Sequence, residues 1–164
     1  MNNTMMGRGL ELPNLDCKMI ATEAIAKYDL VEVEGTVTEK TLSHVQVAGD
    51  TTQAQRSIFG VAQSAAATGE LLTVRFRGKT KAIVFEPLEY DPGRHFVQDS
   101  TNDGHLAHAI NGTCDSGGTG HGFSGDNEKT IAILLEAVDD SSDPITATFL
   151  FDGLAGFGHN LSGD

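Results

Sequence analysis

The chain has 164 residues and a formal net charge of −12, from 11 Lys and Arg against 23 Asp and Glu. This charge argues against a nucleic-acid-binding protein, which needs a positive face to displace counterions. No apolar run approaches the roughly 20 residues that cross a bilayer, so no membrane role is expected. Hydrophobic residues make up 39% of the chain and aromatic residues only 6%, a composition that favours a single domain with β layers of Val, Ile, Leu and Ala.

Residues 1–18 predict an extended N-terminal arm, because their glycines, proline and leucines follow no helical or long-strand period. Such an arm either frays or becomes ordered on a partner. In the second case its anchors are Arg8, Leu10, Leu12 and Leu15. The N-terminus lacks the regions of a signal peptide, so we expect folding in a cytoplasm with Cys17 and Cys114 reduced.

The chain from Ile20 to Gln55 predicts several short strands. Residues 20–27 fit either a short helix or a strand. Residues 30–35 alternate apolar and acidic side chains, as a half-buried strand does, and residues 36–47 are rich in Thr and Val, which favours two further strands. A polar loop follows at 48–55.

The stretch from Ser57 to Gly78 predicts two strands joined by a turn of small residues, and the other elements are placed relative to it. An apolar run around Val61 forms the first strand. Alternation from Leu72 to Arg77 forms the second. Residues 78–81 predict a turn into a third strand, Ala82 to Phe85, which Pro87 closes.

Residues 129–153 repeat this plan in a gapless register. Ile131 follows Ile58 by the same interval at which Phe149 follows Phe76. A strand precedes each copy, at 29–35 and at 94–98. Either an internal duplication or the shared hydrophobic phase of two hairpins explains the match. Both explanations predict a mainly β fold: a small barrel-like or sandwich-like domain of two similar units.

Between Asp99 and Asn127 the sequence predicts a long loop rich in Gly, Asp and His, where a reaction centre would lie if there were one. The G-x-G-x-x-G pattern at 120–125 has no following helix to bind a phosphate. The segment 115–118 has the Asp-Ser-Gly-Gly order of a protease nucleophile, but the chain is too short for two protease barrels. The first pattern is a chance match in a Gly-rich loop, and a Ser/Gly turn explains the second.

The histidines and acidic residues of this loop are side chains of the types that bind metal ions in proteins. His105 and His108 would point to opposite faces of a strand, which favours solvated histidines. Asp99 to Gly104 begins like a calcium loop but lacks the closing Glu, so a hairpin turn at Asn102-Asp103-Gly104 is expected. The alternative function is a small metal-binding hydrolase that uses loop 99–127. Its residues would be His105, His108, Asp115 and Ser116.

One basic cluster interrupts this acidic sequence, on a predicted strand and the turn after it. It consists of Arg75, Arg77, Lys79 and Lys81. These side chains form either a solvated strand face or a contact with an acidic partner surface.

The strand Gly60-Val61-Ala62, the small-residue turn, the alternating strand that ends near Gly78 and the irregular arm in front form one pattern. Over residues 21–85 this pattern resembles the head decoration proteins of tailed bacteriophages, including the lambda-type decoration proteins. The resemblance implies a virion structural protein on the capsid exterior. It would bind the major capsid protein, stabilise the expanded shell and form a homotrimer.

The resemblance also implies that the arm grips the shell through Arg8, Leu10, Leu12 and Leu15. It implies no enzyme activity, no catalytic residue, no metal and no cofactor. The expected organisation is an arm at 1–18, one β-rich domain at 19–158 that contains loop 99–127, and a C-terminal tail at 159–164.

Overall fold

The computed structural model describes residues 13–34, 44–49, 58–84, 90–99, 102–108, 130–138 and 144–155, and the backbone alone of 113–116 and 119–122. No helix occurs among these residues, which confirms the mainly β prediction. The strands are β1 (Leu15–Ala21), β2 (Leu30–Val33), β3 (His44–Val47), β4 (Phe59–Ala62), β5 (Leu71–Val84), β6 (His95–Gln98), β7 (Leu106–His108), β8 (Thr113–Ser116), β9 (Thr119–Gly122), β10 (Ala132–Leu134) and β11 (Ile145–Asp152).

Nine of these strands form two closed barrels that share one strand. The first barrel has the order β1-β3-β2-β4-β5 and closes where β5 pairs with β1. The second has the order β5-β11-β10-β6-β7 and closes where β7 pairs with β5. Closure leaves neither barrel with a long free edge on which another chain could add a strand.

The shared strand β5 is 14 residues long and contradicts the turn predicted at 78–81. The chain runs straight on because Lys79 to Val84 pair with β11, in register from Leu150 to Ile145. Gly78 lies at the midpoint with a φ of +112°, a conformation that a side chain disfavours. The first half of β5 therefore belongs to one barrel and the second half to the other.

The two barrels repeat the same strand pairing. Val31 pairs with Gly60 in the first barrel as Phe96 pairs with Ala132 in the second. Four further pairings correspond: β1–β3 with β5–β7, β2–β3 with β6–β7, β4–β5 with β10–β11, and β1–β5 with β5–β11. The prediction of two similar β units is confirmed.

The single gapless offset predicted for the sequence repeat is wrong, however. By strand pairing, Leu134 corresponds to Ala62 and Phe149 corresponds to Val74, not to Phe76. The connection between the two paired strands is thus longer in the second copy than in the first. A gapless alignment falls between the two true offsets and matches neither strand.

The hydrophobic core follows the duplication residue by residue. Ten apolar residues fill the first barrel, and each has a counterpart in the cluster that fills the second. The pairs are Met19/Ala82, Ala21/Val84, Ile25/Tyr90, Val31/Phe96, Val45/Leu106, Ala62/Leu134, Ala66/Val138, Leu72/Ala147, Val74/Phe149 and Phe76/Phe151. Aromatic rings replace aliphatic side chains at three of these positions, so the second core is the more aromatic one.

The two barrels also contact each other beyond the shared strand. Leu30, Phe59 and Val61 lie outside the first core and pack into the second cluster instead. Backbone bonds join the units as well: Gly104 N donates to Ala48 O at 2.8 Å, and Phe59 N donates to Gly153 O at 3.2 Å.

Candidate interaction surface

Of the four predicted arm contacts, only Leu15 belongs to the described residues; Arg8, Leu10 and Leu12 lie outside them. Leu15 is the first residue of β1, is 42% exposed and pairs with Arg77 of β5. Residues 15–18, which the sequence placed in the arm, form the first half of this barrel strand. An arm therefore ends before Leu15, and its extended form over residues 1–12 stays a prediction.

The chain just before β1 crosses the middle of β5. A Cβ at Gly78 would lie 2.1 Å from Oδ1 of Asn14 and 2.9 Å from its Cα, so the strand can pass beneath Asn14 only with a glycine there. This crossing is where β5 leaves the first barrel and joins the second. Asn14 thus lies at the junction of the barrels.

A β-bulge shapes the start of β1. The register shifts between Leu15 and Asp16, so that they stand opposite Arg77 and Arg75. Arg75 donates two hydrogen bonds to the Asp16 carboxylate, at 2.7 and 2.8 Å. These bonds hold the pKa of Asp16 below its ordinary value. Arg75 also donates to Lys79 O at 2.6 Å, which fixes the guanidinium across the junction.

Arg77 makes the second ion pair of the junction, with Asp152 at the end of β11. Its Nη2 lies 3.0 Å from Asp152 Oδ2. The other carboxylate oxygen of the buried Asp152 accepts the backbone N–H groups of Leu154 at 3.2 Å and Ala155 at 3.1 Å. Both arginines of the predicted basic cluster are thus bound by acids of their own chain.

Lys79 and Lys81 differ from the two arginines. Both are exposed, and neither forms an ion pair within the part of the chain that the structure describes. Only these two lysines of the predicted cluster remain for a contact with an acidic partner surface.

The described part of the loop predicted at 99–127 begins as an ordinary hairpin. Asp99 accepts hydrogen bonds from the backbone N–H and the side-chain amide of Asn102, at 3.2 and 2.9 Å. Gly104 follows with a φ of +77° and leads into β7. The predicted turn at 102–104 is confirmed, and the carboxylate of Asp99 is used to hold it.

His108 is a core residue, so the prediction of a solvated histidine is wrong at this position. It is only 6% exposed, and its ring lies 4.9 Å from that of Tyr90 and 5.5 Å from that of Phe96. Burial, followed by the positive charges of Arg94 and His95, lowers its pKa to about 4. The strand β7 takes His108 into the barrel wall, as β3 takes Val47 in the first barrel.

Asp115 and Ser116, which the alternative hydrolase would use together with His105 and His108, lie on β8, which pairs with β9 in a separate two-stranded sheet. Gly120 and Gly122 lie on β9 itself, so the first half of the G-x-G-x-x-G pattern is strand backbone. Within the described ranges no group of three or more His, Cys, Asp or Glu side chains is placed to hold a metal ion. Those ranges also contain no helix long and apolar enough to span a bilayer.

Sequence reasoning found the arginines of this surface but missed their partners. Asp16 and Asp152 are separated from Arg75 and Arg77 by 59 and 75 residues. A signal did exist, since Asp16 lies near the start of a strand and Asp152 ends one. Only the pairing of both strands with β5 makes them neighbours.

Comparison with solved structures shows a likeness in fold, whereas comparison of sequences does not identify a relative. No protein-family model and no curated protein matches the chain. A solved structure, described as the crystal structure of the head fiber gp8.5 N base in bacteriophage phi29, matches over 90% of this chain and 100% of that one. The sequence identity is 10% and the TM-score is 0.44.

Proposed function

We propose that this chain is a structural protein of a tailed-phage head. It binds the outer surface of the capsid, contacts the major capsid protein, stabilises the expanded shell and acts as a homotrimer. The proposal starts from the resemblance of residues 21–85 to head decoration proteins. The observation that carries it further is the exposed start of β1, with Leu15 at the junction of two closed barrels.

The geometry supports adhesion in two ways. The barrels are held by a shared strand, by duplicated cores and by ion pairs, so the body offers a partner a preformed surface. The chain enters β1 at one defined place, where Asn14 lies against Gly78. In this proposal Arg8, Leu10 and Leu12 contact the shell from there, and Leu15 continues the contact onto the barrel.

The mechanism is thermodynamic. A protein that binds the expanded lattice and not its precursor stabilises the expanded lattice by mass action. At a free concentration of about 100 times Kd, each occupied site adds about 2.7 kcal/mol. No covalent step is needed, and the described polar groups at the junction are used to hold the protein together.

Deletion of residues 1–12 tests the arm without cutting into β1, which begins at Leu15. The intact and shortened proteins are mixed with purified expanded heads of the matching phage and sedimented. We expect the intact protein to sediment with the heads and the shortened one to stay in the supernatant. Equal binding of the two proteins would show that the arm is not the contact, and failure of the intact protein to bind would remove the proposed function.

Leu15→Ser is the matching point variant on the barrel, and Leu71→Ser is its control. Both leucines are exposed, at 42% and 66%, and both lie at the first position of a strand. Only the variant at Leu15 should weaken head binding, because Leu71 lies at the other end of the β1–β5 ladder, opposite Ile20.

A further inference from the structure

The outer face of the second barrel carries an unusual combination of side chains. Across the sheet, Lys79 of β5 stands opposite Leu150 of β11, which stands opposite Ile133 of β10. One row further, Lys81 stands opposite Thr148, whose carbonyl accepts the N–H of Leu135 at 2.9 Å. We call these residues the β10–β11 outer face: Lys79, Lys81, Ile133, Leu135, Thr148 and Leu150.

Exposure divides this face into an apolar centre and a cationic edge. Leu135 is 38% exposed, Ile133 is half-buried and Leu150 is buried. The two lysines are exposed on β5, at one side of this face. An apolar centre with a charged rim is the usual anatomy of a protein–protein interface.

The duplication supplies an internal comparison, because the first barrel has the same six positions. They are Asp16, Lys18, Val61, Gln63, Thr73 and Arg75. There the polar side chains bind one another: Asp16 pairs with Arg75 at 2.7 Å, and Lys18 donates to Thr73 at 2.6 Å.

The remaining two positions of the first barrel are satisfied as well. The Gln63 amide donates to Val61 O at 2.9 Å and to Thr80 Oγ1 at 3.0 Å. The side chain of Val61 is buried in the second hydrophobic cluster. The side chains at these six positions of the first barrel are thus bound or buried within the chain. At the same positions the second barrel has Leu135, the half-buried Ile133 and two lysines that form no ion pair among the described residues.

We propose that the β10–β11 outer face binds a second copy of this chain. This inference rests on the proposed homotrimer and names the surface that forms it. The partner must offer carboxylates to two lysines and apolar contact to Leu135 and Ile133. This chain is itself strongly acidic, with a net charge of −12, so another copy supplies the complementary charge.

Charge also explains why the lysines lie here. Repulsion between two copies of an acidic protein is reduced where a cationic surface of one meets an acidic surface of the other. A contact between two different surfaces is heterologous, and it closes into a ring when the rotation between copies permits. A homotrimer is one such ring.

The test measures self-association of the full chain by sedimentation velocity at micromolar concentrations, with no phage heads present. We expect the wild-type protein to form a discrete oligomer. Leu135→Gln places in the second barrel the residue that the first barrel has at that position, and it should weaken association at least tenfold. Its control is Leu71→Gln, which changes the most exposed leucine of the described residues and should leave association unchanged.

A charge pair completes the test. Lys81→Glu should weaken association, whereas Lys18→Glu, at the corresponding position of the first barrel, should not. Circular dichroism checks that each variant is folded. A monomeric wild-type protein, or association that neither Leu135→Gln nor Lys81→Glu weakens, overturns the proposal.

Head binding separates this inference from the proposed function. If Leu135→Gln abolishes co-sedimentation with heads but leaves the oligomer intact, the face contacts the shell and the inference is wrong. If the variant dissociates the oligomer, the inference holds whether or not the wild-type protein binds heads. Failure of head binding alone removes the proposed function and leaves the self-association surface standing.

Discussion

Phe151 of β11 occupies in the second barrel the position that Phe76 of β5 occupies in the first. Each ring lies in the core of its barrel, and Phe151 pairs with Ala132 on β10. The corresponding residue on β4 is Gly60, where a Cβ would lie 2.2 Å from Val74 and 3.2 Å from Phe76. The second barrel thus accommodates a methyl group that the first cannot. The two cores therefore differ in side-chain packing although their strand order is the same.

Turns of one conformation precede three of the strands and give a first prediction. Their third residues are Tyr28, Gly69 and Gly93, with φ angles of +76°, +83° and +91°. A Cβ at Gly69 or Gly93 would meet nothing within 4 Å, so only backbone conformation opposes a side chain there. We expect Gly69→Ala and Gly93→Ala each to lower the free energy of unfolding by about 1–2 kcal/mol. Chemical denaturation measures this, with Thr68→Ala in the same turn as a control that should change little.

The two ion pairs of the barrel junction should differ in their contribution to stability. Asp152 is buried and also holds two backbone N–H groups, so Asp152→Ala should cost about 2–4 kcal/mol. The partial exposure of Arg77 keeps this value below that of a fully buried pair. Asp16 is more exposed, and Asp16→Ala should cost at most about 1 kcal/mol. Urea denaturation of the two variants decides the order, and equal costs would contradict it.

Local pattern predicted the strands that the structure describes around Leu30, Val61 and Val74, because alternation and β-branched residues act within a few positions. It predicted a turn at Gly78 because glycine followed by lysines is typical of turns. The pairing of Lys79 to Val84 with β11 overrides that preference. No residue close to Gly78 in the sequence indicates this pairing. The burial of His108 also depends on a distant partner, since β7 closes the second barrel against Val84 of β5.

Gly153 gives a steric prediction at the contact between the barrels. A Cβ there would lie 1.9 Å from the carbonyl oxygen of Phe59 and 2.6 Å from its carbon. Phe59 N donates to Gly153 O, so neither backbone can move aside without losing that bond. We expect Gly153→Ala to cost more than about 3 kcal/mol or to prevent folding. Gly49→Ala is the control, because its Cβ would meet Asp103 at an ordinary 3.4 Å; thermal unfolding of both variants measures the difference.

The buried ring of His108 makes stability depend on pH. Its pKa in the folded protein is about 4, below the 6.5 of an exposed histidine, because burial disfavours the charged ring and Arg94 and His95 add to this. Well above pH 6.5 the ring is neutral in both states, so its protonation does not lower the free energy of unfolding there. As the pH falls from 6.5 to about 4, the unfolded chain binds a proton that the folded chain does not, so the free energy of unfolding decreases.

The size of this effect and its control follow from the same pKa values. Between about pH 7 and pH 4.5 the histidine should remove about 2–3 kcal/mol of stability. Carboxylates titrate in the same range, so the wild-type protein must be compared with His108→Phe, which keeps an aromatic ring beside Tyr90 and Phe96 and cannot be protonated. Denaturation curves at a series of pH values give the free energy of unfolding of each protein. The wild-type value should fall relative to the variant as the pH falls, and parallel pH profiles would mean that His108 is protonated equally easily in the folded and unfolded chains.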